Sequence, residues 1–295
     1  MSKLTVSLFL VSTVATAVAS PPPPPIVGGQ TAKPGAWPDV VAVLAPDGAC
    51  TGTLIAPDVV LTAGHCTTEI TPSVVVIDTI DYGKPGGEII AVKSVVGYPN
   101  WEHAYDVGVV MLAHAAKAKP RPIARACEAK TVEVVGFGLT TTAGTGDNTR
   151  LHQASLPVVD TRCTEAPGCN AAIAPDTEFA AGGQGTDSCF GDSGGPAFAQ
   201  TPSGLALFGV VSRGLSEPGR PCGNGGIYVR ADAKKVLAWI EKTTGRKVAR
   251  ASCGKSDGED AAADETNGCN AGGAELGLVA LLPGLVWRRR KKKLS

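Results

Sequence analysis

Gly191-Asp192-Ser193-Gly194-Gly195-Pro196, preceded by Asp187-Ser188-Cys189, is the stretch from which the rest of this chain is read. A serine set between glycines, beside an aspartate, has the composition of a nucleophile held on a tight turn. Glycine admits positive φ and lets a second chain come close to the backbone. A hydroxyl that must meet a carbonyl beside free N–H donors needs such a loop. The same letters also make an ordinary surface turn, because Asp, Ser, Gly and Pro all favour turns. The two readings separate on whether a base and an orienting acid occur elsewhere in the chain.

Both occur. Leu61-Thr62-Ala63-Gly64-His65-Cys66 ends an apolar strand, and imidazole is the side chain best suited to proton transfer near neutral pH. Of the four histidines, His65, His103, His114 and His152, only His65 directly follows a buried-type strand and adjoins a cysteine. Tyr105-Asp106-Val107-Gly108-Val109-Val110 sets an acid at the start of another apolar strand. A carboxylate entering a core needs a partner, and an imidazole Nδ1–H is a suitable one. Taken singly, His65 also reads as a structural histidine and Asp106 as a turn residue.

The chain of 295 residues has room for one large domain or two small ones. Hydrophobic residues make up 43% and support a sizeable core, while 37 glycines and 22 prolines cut the chain into short runs. Runs at 40–44, 53–55, 59–62, 74–77, 89–96, 107–112, 132–135, 156–159, 197–198, 205–212 and 227–229 predict strands. Together they indicate an all-β protein of sandwich or barrel type. Residues 232–243 are the helix candidate, with Val236, Leu237, Trp239 and Ile240 on one side and Asp232 at the capping position. Net charge is zero, which argues against a nucleic-acid binder. Lys3 and residues 288–293 supply seven of the 27 basic residues, so the remaining 20 face 27 acidic ones and the body is mildly acidic.

Residues 1–19 read as a secretory signal peptide. Lys3 precedes an apolar run, and Ala17-Val18-Ala19 fits a cleavage site, with the cut expected after Ala19. A membrane anchor is the other reading, but the run is short and rich in Ser and Thr for that. Export places the nine cysteines in an oxidising compartment. Ser20 and the five prolines that follow form an extended propeptide, residues 20–25. The folded domain is expected over 26–248 and an acidic linker over 249–268. Residues 269–295 carry Cys269, a short apolar run and the basic cluster. That run falls short of the about 20 residues a spanning helix needs, and its basic end is expected to stay cytoplasmic.

In the order His65, Asp106, Ser193 the chain resembles the trypsin-like, chymotrypsin-fold serine proteases. Further matches are Ile26-Val27-Gly28-Gly29, Val135-Gly136-Phe137-Gly138, 211–214 and Gly226-Ile227-Tyr228. The resemblance implies two six-stranded antiparallel β-barrels with the site in the cleft between them and a C-terminal helix. It implies that His65 is the general base, Asp106 its orienter and Ser193 the nucleophile, with an oxyanion hole from the N–H groups of Gly191 and Ser193. Asp187 would form the floor of the S1 pocket, with Ser212, Gly214 and Gly226 along its walls, implying cleavage after Arg or Lys. Asp187 as a solvated turn residue is the other reading. The resemblance also implies the bridges Cys50–Cys66 and Cys189–Cys222; Cys163 and Cys169 could close a small loop, as a shortened version of another family bridge, and Cys127 and Cys253 remain, with their pairing left open by the sequence. No Cys/His spacing suggests a metal. Asp78, Asp81 and Glu88 lack a calcium-ligand pattern, and no cofactor is implied.

The chain departs from that family in three places. Arg213 stands where an aromatic residue is usual, on the wall serving the pockets next to S1. The loops flanking Cys222 differ in length from those of the simplest trypsins. In the family, cleavage after Arg or Lys frees the amine of the residue matching Ile26, which pairs with the acid matching Asp192; here Pro25 precedes Ile26. The C-terminal segment resembles a MYXO-CTERM surface-sorting tail, which implies processing near Cys269 and a surface or secreted fate. A simple membrane anchor is the alternative. The resulting expectation is a zymogen-type endopeptidase, secreted and attached to the cell surface, monomeric, acting on proteins or peptides and not on nucleic acid. A non-catalytic or unactivated surface binding or adhesion protein on the same fold is the competing one.

Overall fold

The computed structural model describes residues 25–254; the expected signal peptide, the proline stretch before Pro25 and the sorting tail with Cys269 lie outside the described residues. The described chain opens with a turn, Pro25–Gly28, and a short strand β1 (Gln30–Thr31). Six strands then close a first barrel: β2 (Val40–Ala45), β3 (Gly48–Ala56), β4 (Val59–Thr62), β5 (Val74–Ile77), β6 (Glu88–Gly97) and β7 (Gly108–Leu112), in the order β2-β3-β4-β7-β6-β5. After β8 (Ile123–Arg125) a second barrel follows: β9 (Thr131–Gly136), β10 (His152–Asp160), β11 (Glu178–Ala181), β12 (Pro196–Thr201), β13 (Gly204–Gly214) and β14 (Gly226–Arg230). Its strands pair β9-β10-β11-β14-β13-β12 and close through β12–β9. All the barrel pairings are antiparallel, as expected for a chymotrypsin fold.

The weak in–out alternation of these runs has a packing cause. Successive side chains of a strand face opposite ways, and in strands such as β2, β3, β4 and β14 both faces are covered, whereas β6 is largely open to solvent and β10 alternates. In β2, Val41 and Val43 fill the first barrel together with Leu54, Val60, Ile77 and Val110. Their neighbours Val40 and Ala42 join a second layer with Leu61, Val109, Phe137, Phe198 and Val210, drawn from both barrels. The second barrel is filled by residues such as Val134, Leu156, Phe179, Phe208 and Tyr228. Strands apolar on both faces therefore bind the barrels to one another, and the loops at that seam are set with little freedom.

The C-terminal helix spans Lys234–Thr244 and buries Val236, Leu237 and Ile240, close to its expected extent. It ends at Gly245, whose φ of 66° and N–H bond to Glu241 O form a left-handed stop. Asp232 does not cap it. Ala233 holds the capping position, and the Asp232 carboxylate instead takes the Arg230 guanidinium at 2.9 Å through both oxygens. A bidentate guanidinium outbids an orphan N–H for the same oxygens.

The folded body also runs past 248, where the sequence placed its end. A further strand, β15 (Arg250–Ser252), pairs in parallel with β8, and Cys253 bridges to Cys127. Strand β11 was not among the expected strands either; all four of its residues, Phe179 included, are buried. The other disulfides join Cys50 to Cys66, Cys163 to Cys169 and Cys189 to Cys222.

His152 is 3% exposed in β10, and its Nδ1 has no hydrogen-bond partner. Burial pushes its pKa down to about 4, with Asp147 and Arg150 as the charged neighbours. The unfolded chain binds this proton below about 6.5, while the fold refuses it until about 4. Stability is therefore lost as pH falls through that window. His152→Leu should remove about 2 kcal/mol of the difference in urea stability between pH 7 and pH 4.5. Equal pH dependence in both proteins would contradict this assignment.

Candidate active site

His65 opens a short 3-10 turn (His65–Thr67) directly after β4, and Asp106 stands just before β7, the strand that pairs with β4. The pairing brings them together at two points. His65 N donates to Asp106 Oδ1 at 3.0 Å, and Nδ1 lies 2.9 Å from Oδ2. An ionised carboxylate only accepts, so Nδ1 carries the proton and Nε2 presents a lone pair. Ser212 Oγ donates to the same Asp106 Oδ2 at 2.7 Å. Burial alone would raise the Asp106 pKa, but the bonds from His65 and Ser212 hold it below the usual carboxylate value. For His65, burial acts to lower the pKa, but the bond and charge of Asp106, with the charge of Glu69, hold it above 6.5. The Cys50–Cys66 bridge anchors the residue beside it.

The loop before β12 carries Ser193 and is held from the first barrel. Thr51, buried in β3, donates from N to Ser193 O at 2.9 Å and from Oγ1 to Gly191 O at 2.8 Å. Its Oγ1 also accepts Phe137 N at 3.1 Å. Gly194 passes so close to β3 and β4 that a Cβ would lie 1.9 Å from Thr62 Oγ1 and 2.6 Å from Thr51 O, and its φ is +78°. Within the loop, Asp192 N donates to Cys189 O and Gly194 N to Val211 O. The N–H groups of Gly191 and Ser193 have no acceptor among the described residues, and both residues are partly exposed.

Asp192 is fully buried. Its carboxylate accepts Gly138 N at 2.8 Å and Cys189 N at 2.9 Å. A Cβ on Gly138 would sit 2.3 Å from that carboxylate, which accounts for the Gly-Phe-Gly motif. With the Pro25–Ile26 bond intact, the nitrogen of Ile26 is an amide, and Asp192 meets no cation among the described residues. Burial pushes its pKa up to about 7, against the two N–H bonds. Ile26 itself is fully buried, and Val27 O accepts Asp187 N at 3.0 Å.

A cavity of about 400 Å³ opens between His65, Ser193, Ser188, Gly214 and the Cys189–Cys222 bridge. Asp187 precedes Ser188 of that lining and has no exposed surface. Its Oδ2 accepts Gly223 N at 3.2 Å and Gly225 N at 3.1 Å. Burial still raises its pKa to about 6. A Cβ on Gly226 would meet Ser188 Oγ at 3.2 Å and Asp187 Oδ1 at 3.3 Å, whereas one on Gly214 would have nothing nearer than 3.9 Å. Among the described residues the close group of potential metal ligands is Cys50, His65 and Cys66, and both sulfurs are spent in the disulfide. Asp81 is occupied by Lys84 and Arg150, and Glu88 by the N–H of Lys117.

A family sequence model described as Trypsin matches residues 26–240. The chain belongs to the trypsin family. It is a trypsin-like serine protease, 34% identical over 225 residues to a protein named trypsin from Saccharopolyspora erythraea, an overlap of 70% of this chain and 94% of that one. It is 29% identical over 232 residues to phenoloxidase-activating factor 3 from Holotrichia diomphalia, covering 65% of this chain and 63% of that protein.

Two residues of this trypsin-family site escaped the sequence reading. Thr51 shows only as a small polar residue after Cys50, and its reach across the seam exists only in three dimensions. Glu178, fully buried in β11, accepts both terminal nitrogens of Arg213 at 2.8 and 2.9 Å. Thr51→Val keeps the shape and removes the hydroxyl, leaving Gly191 O and Phe137 N without it. This should cost about 1–3 kcal/mol of stability, read as a lowered Tm, and should slow fluorophosphonate labelling of Ser193. An unchanged Tm and labelling rate would show that Thr51 does not hold the loop.

Proposed function

We infer that this trypsin-family chain is a serine endopeptidase that cleaves after Arg or Lys, with His65, Asp106 and Ser193 as its catalytic groups. The observation that carries the reading is the two-point bond between His65 and Asp106 in the same pocket as Ser193 and the two unengaged N–H groups. His65 and Ser193 share the pocket without a hydrogen bond between them, a contact that free enzymes often make only with substrate in place. His65 Nε2 takes the proton of Ser193 Oγ as the oxygen attacks the scissile carbonyl. The N–H groups of Gly191 and Ser193 receive the oxyanion. His65 then passes the proton to the leaving amine, and water, activated in the same way, hydrolyses the acyl-enzyme. Activity should fall with acidification through a midpoint above 6.5, because Asp106 and Glu69 hold the imidazole proton.

The preference for Arg or Lys rests on Asp187. A buried carboxylate held by N–H donors and the Ser188 hydroxyl but by no cation, with its pKa raised to about 6, is stabilised by an incoming cation. Ser193→Ala should abolish both hydrolysis and fluorophosphonate labelling, and a P1 panel should favour Arg and Lys over Phe and Ala. Labelling that survives the substitution, or faster turnover of Phe substrates, would refute the assignment.

Activation follows the same logic at Asp192. Cutting Pro25–Ile26 turns a buried amide into an ammonium within the segment that already lies against the S1 floor. A separate peptidase is needed, since a protease that cuts after Arg or Lys does not cut after Pro. Before the cut, the raised pKa of Asp192 means that stability falls as pH rises from the ordinary carboxylate range through about 7. The cut form should be free of that loss and should label faster. An active protein whose sequenced N-terminus is Ser20 contradicts this. The four disulfides suit an extracellular setting, and the tail around Cys269 would attach the enzyme to the surface.

A further inference from the structure

Arg213 occupies a wall position of the cleft, yet its guanidinium does not face solvent as a free charge. Nη1 and Nη2 bind the two oxygens of Glu178. Nε and Nη2 bind Gly168 O at 2.9 and 2.7 Å, and Nη1 donates to Ser212 Oγ at 3.0 Å. All five N–H donors of the fork are used. The contact with its own neighbour Ser212 is unusual, since adjacent strand residues point apart. It is allowed here by a register shift between Val211 and Arg213 in the pairing of β13 with β14.

The consequence lies in the Ser212 hydroxyl. Its oxygen is occupied by an Arg213 N–H, so its own hydrogen is directed at Asp106 Oδ2, 2.7 Å away. A donor that is itself hydrogen-bonded to a cation is a stronger donor. Glu178 fixes the guanidinium in turn, and it also accepts Asn170 N at 2.8 Å, while Asn170 Nδ2 reaches Ala104 O near Asp106. Glu178, Arg213, Ser212, Asp106 and His65 thus form one unbroken line of hydrogen bonds.

We propose that Arg213, held by Glu178, is a positioning residue that orients and polarises Ser212 against Asp106 and so sets the orientation and basicity of His65. This rests on the reading of His65, Asp106 and Ser193 given above. The charged groups around the line are Glu69 beside His65, Glu102 beside Asp106, and the Arg213–Glu178 pair itself. Arg213→Leu alone would strand a buried glutamate and destabilise the fold. The test therefore uses Arg213→Leu with Glu178→Leu, in the full chain processed at Ile26, with and without Ser212→Ala.

The double variant should fold, by circular dichroism and Tm. With a substrate that reaches only the pocket at Asp187 it should keep its KM, lose about fivefold in kcat, the usual worth of one hydrogen bond, and move the acid limb of its pH profile upward. The upward shift follows because Asp106, with a weaker donor at Ser212, attracts the imidazolium proton more. In the Ser212→Ala background the same pair of substitutions should change neither kcat nor the limb. A folded double variant with wild-type kcat and pH profile overturns the proposal, as does an equal effect with Ser212 absent. Wild-type protein that neither hydrolyses peptides nor labels at Ser193 overturns the protease reading, and this inference with it.

Discussion

A carboxylate taken out of water must be answered by donors or by a cation. Asp106, Glu178, Asp187 and Asp192 are all buried near the loop of Ser193 and its pocket, and much of the local structure follows from how each is satisfied. Asp106 is answered by side chains and a backbone N–H at once: His65 twice and Ser212 once. Glu178 is answered by a guanidinium fork. Asp187 and Asp192 have only N–H groups of loops and a weak hydroxyl contact, and their pKa values stand at about 6 and about 7. The first two carboxylates are complete as they stand. The other two are stabilised further by a positive charge, and in the proposed reading each receives one: a substrate side chain at Asp187 and a freed amine at Asp192.

The two-barrel frame is what makes such burial possible. Both faces of strands such as β2 are apolar, one filling a barrel and one the seam. Loops trapped at the seam have few places to send their polar atoms, so they bind one another. Thr51 meeting Ser193 and Gly191 across the barrels is an instance, and Gly138 yielding space to the Asp192 carboxylate is another.

Much of this was legible in the sequence because local motifs specify local shape. Strands β4 and β5 fall on their expected residues, and His65 and Asp106 sit where the apolar runs put them. What escaped depends on distant partners. Glu178 and the strand it opens could not be read without Arg213, which neutralises it from 35 residues away. Arg213 was visible as a departure from the family, but its direction was not, since a strand bulge decides it. Asp232 looked like a helix cap until Arg230 claimed both its oxygens. Local chemistry named the candidates, and competition among partners selected between them.

The two incomplete carboxylates are also linked. Asp187 N is held by Val27 O, one residue from Ile26, and the charge of Asp187 itself helps to raise the pKa of Asp192. A cation arriving at either acid therefore eases ionisation of the other. By reciprocity, whatever insertion of the amine at Asp192 does for a basic side chain at Asp187, that side chain does for the insertion. In the proposed reading the Pro25–Ile26 bond then governs more than the shape of the loop that carries Ser193. While it is intact, Asp187 has no amine near Asp192 to support its ionisation, so in that reading uncut protein would be weakened in substrate binding as well as in chemistry.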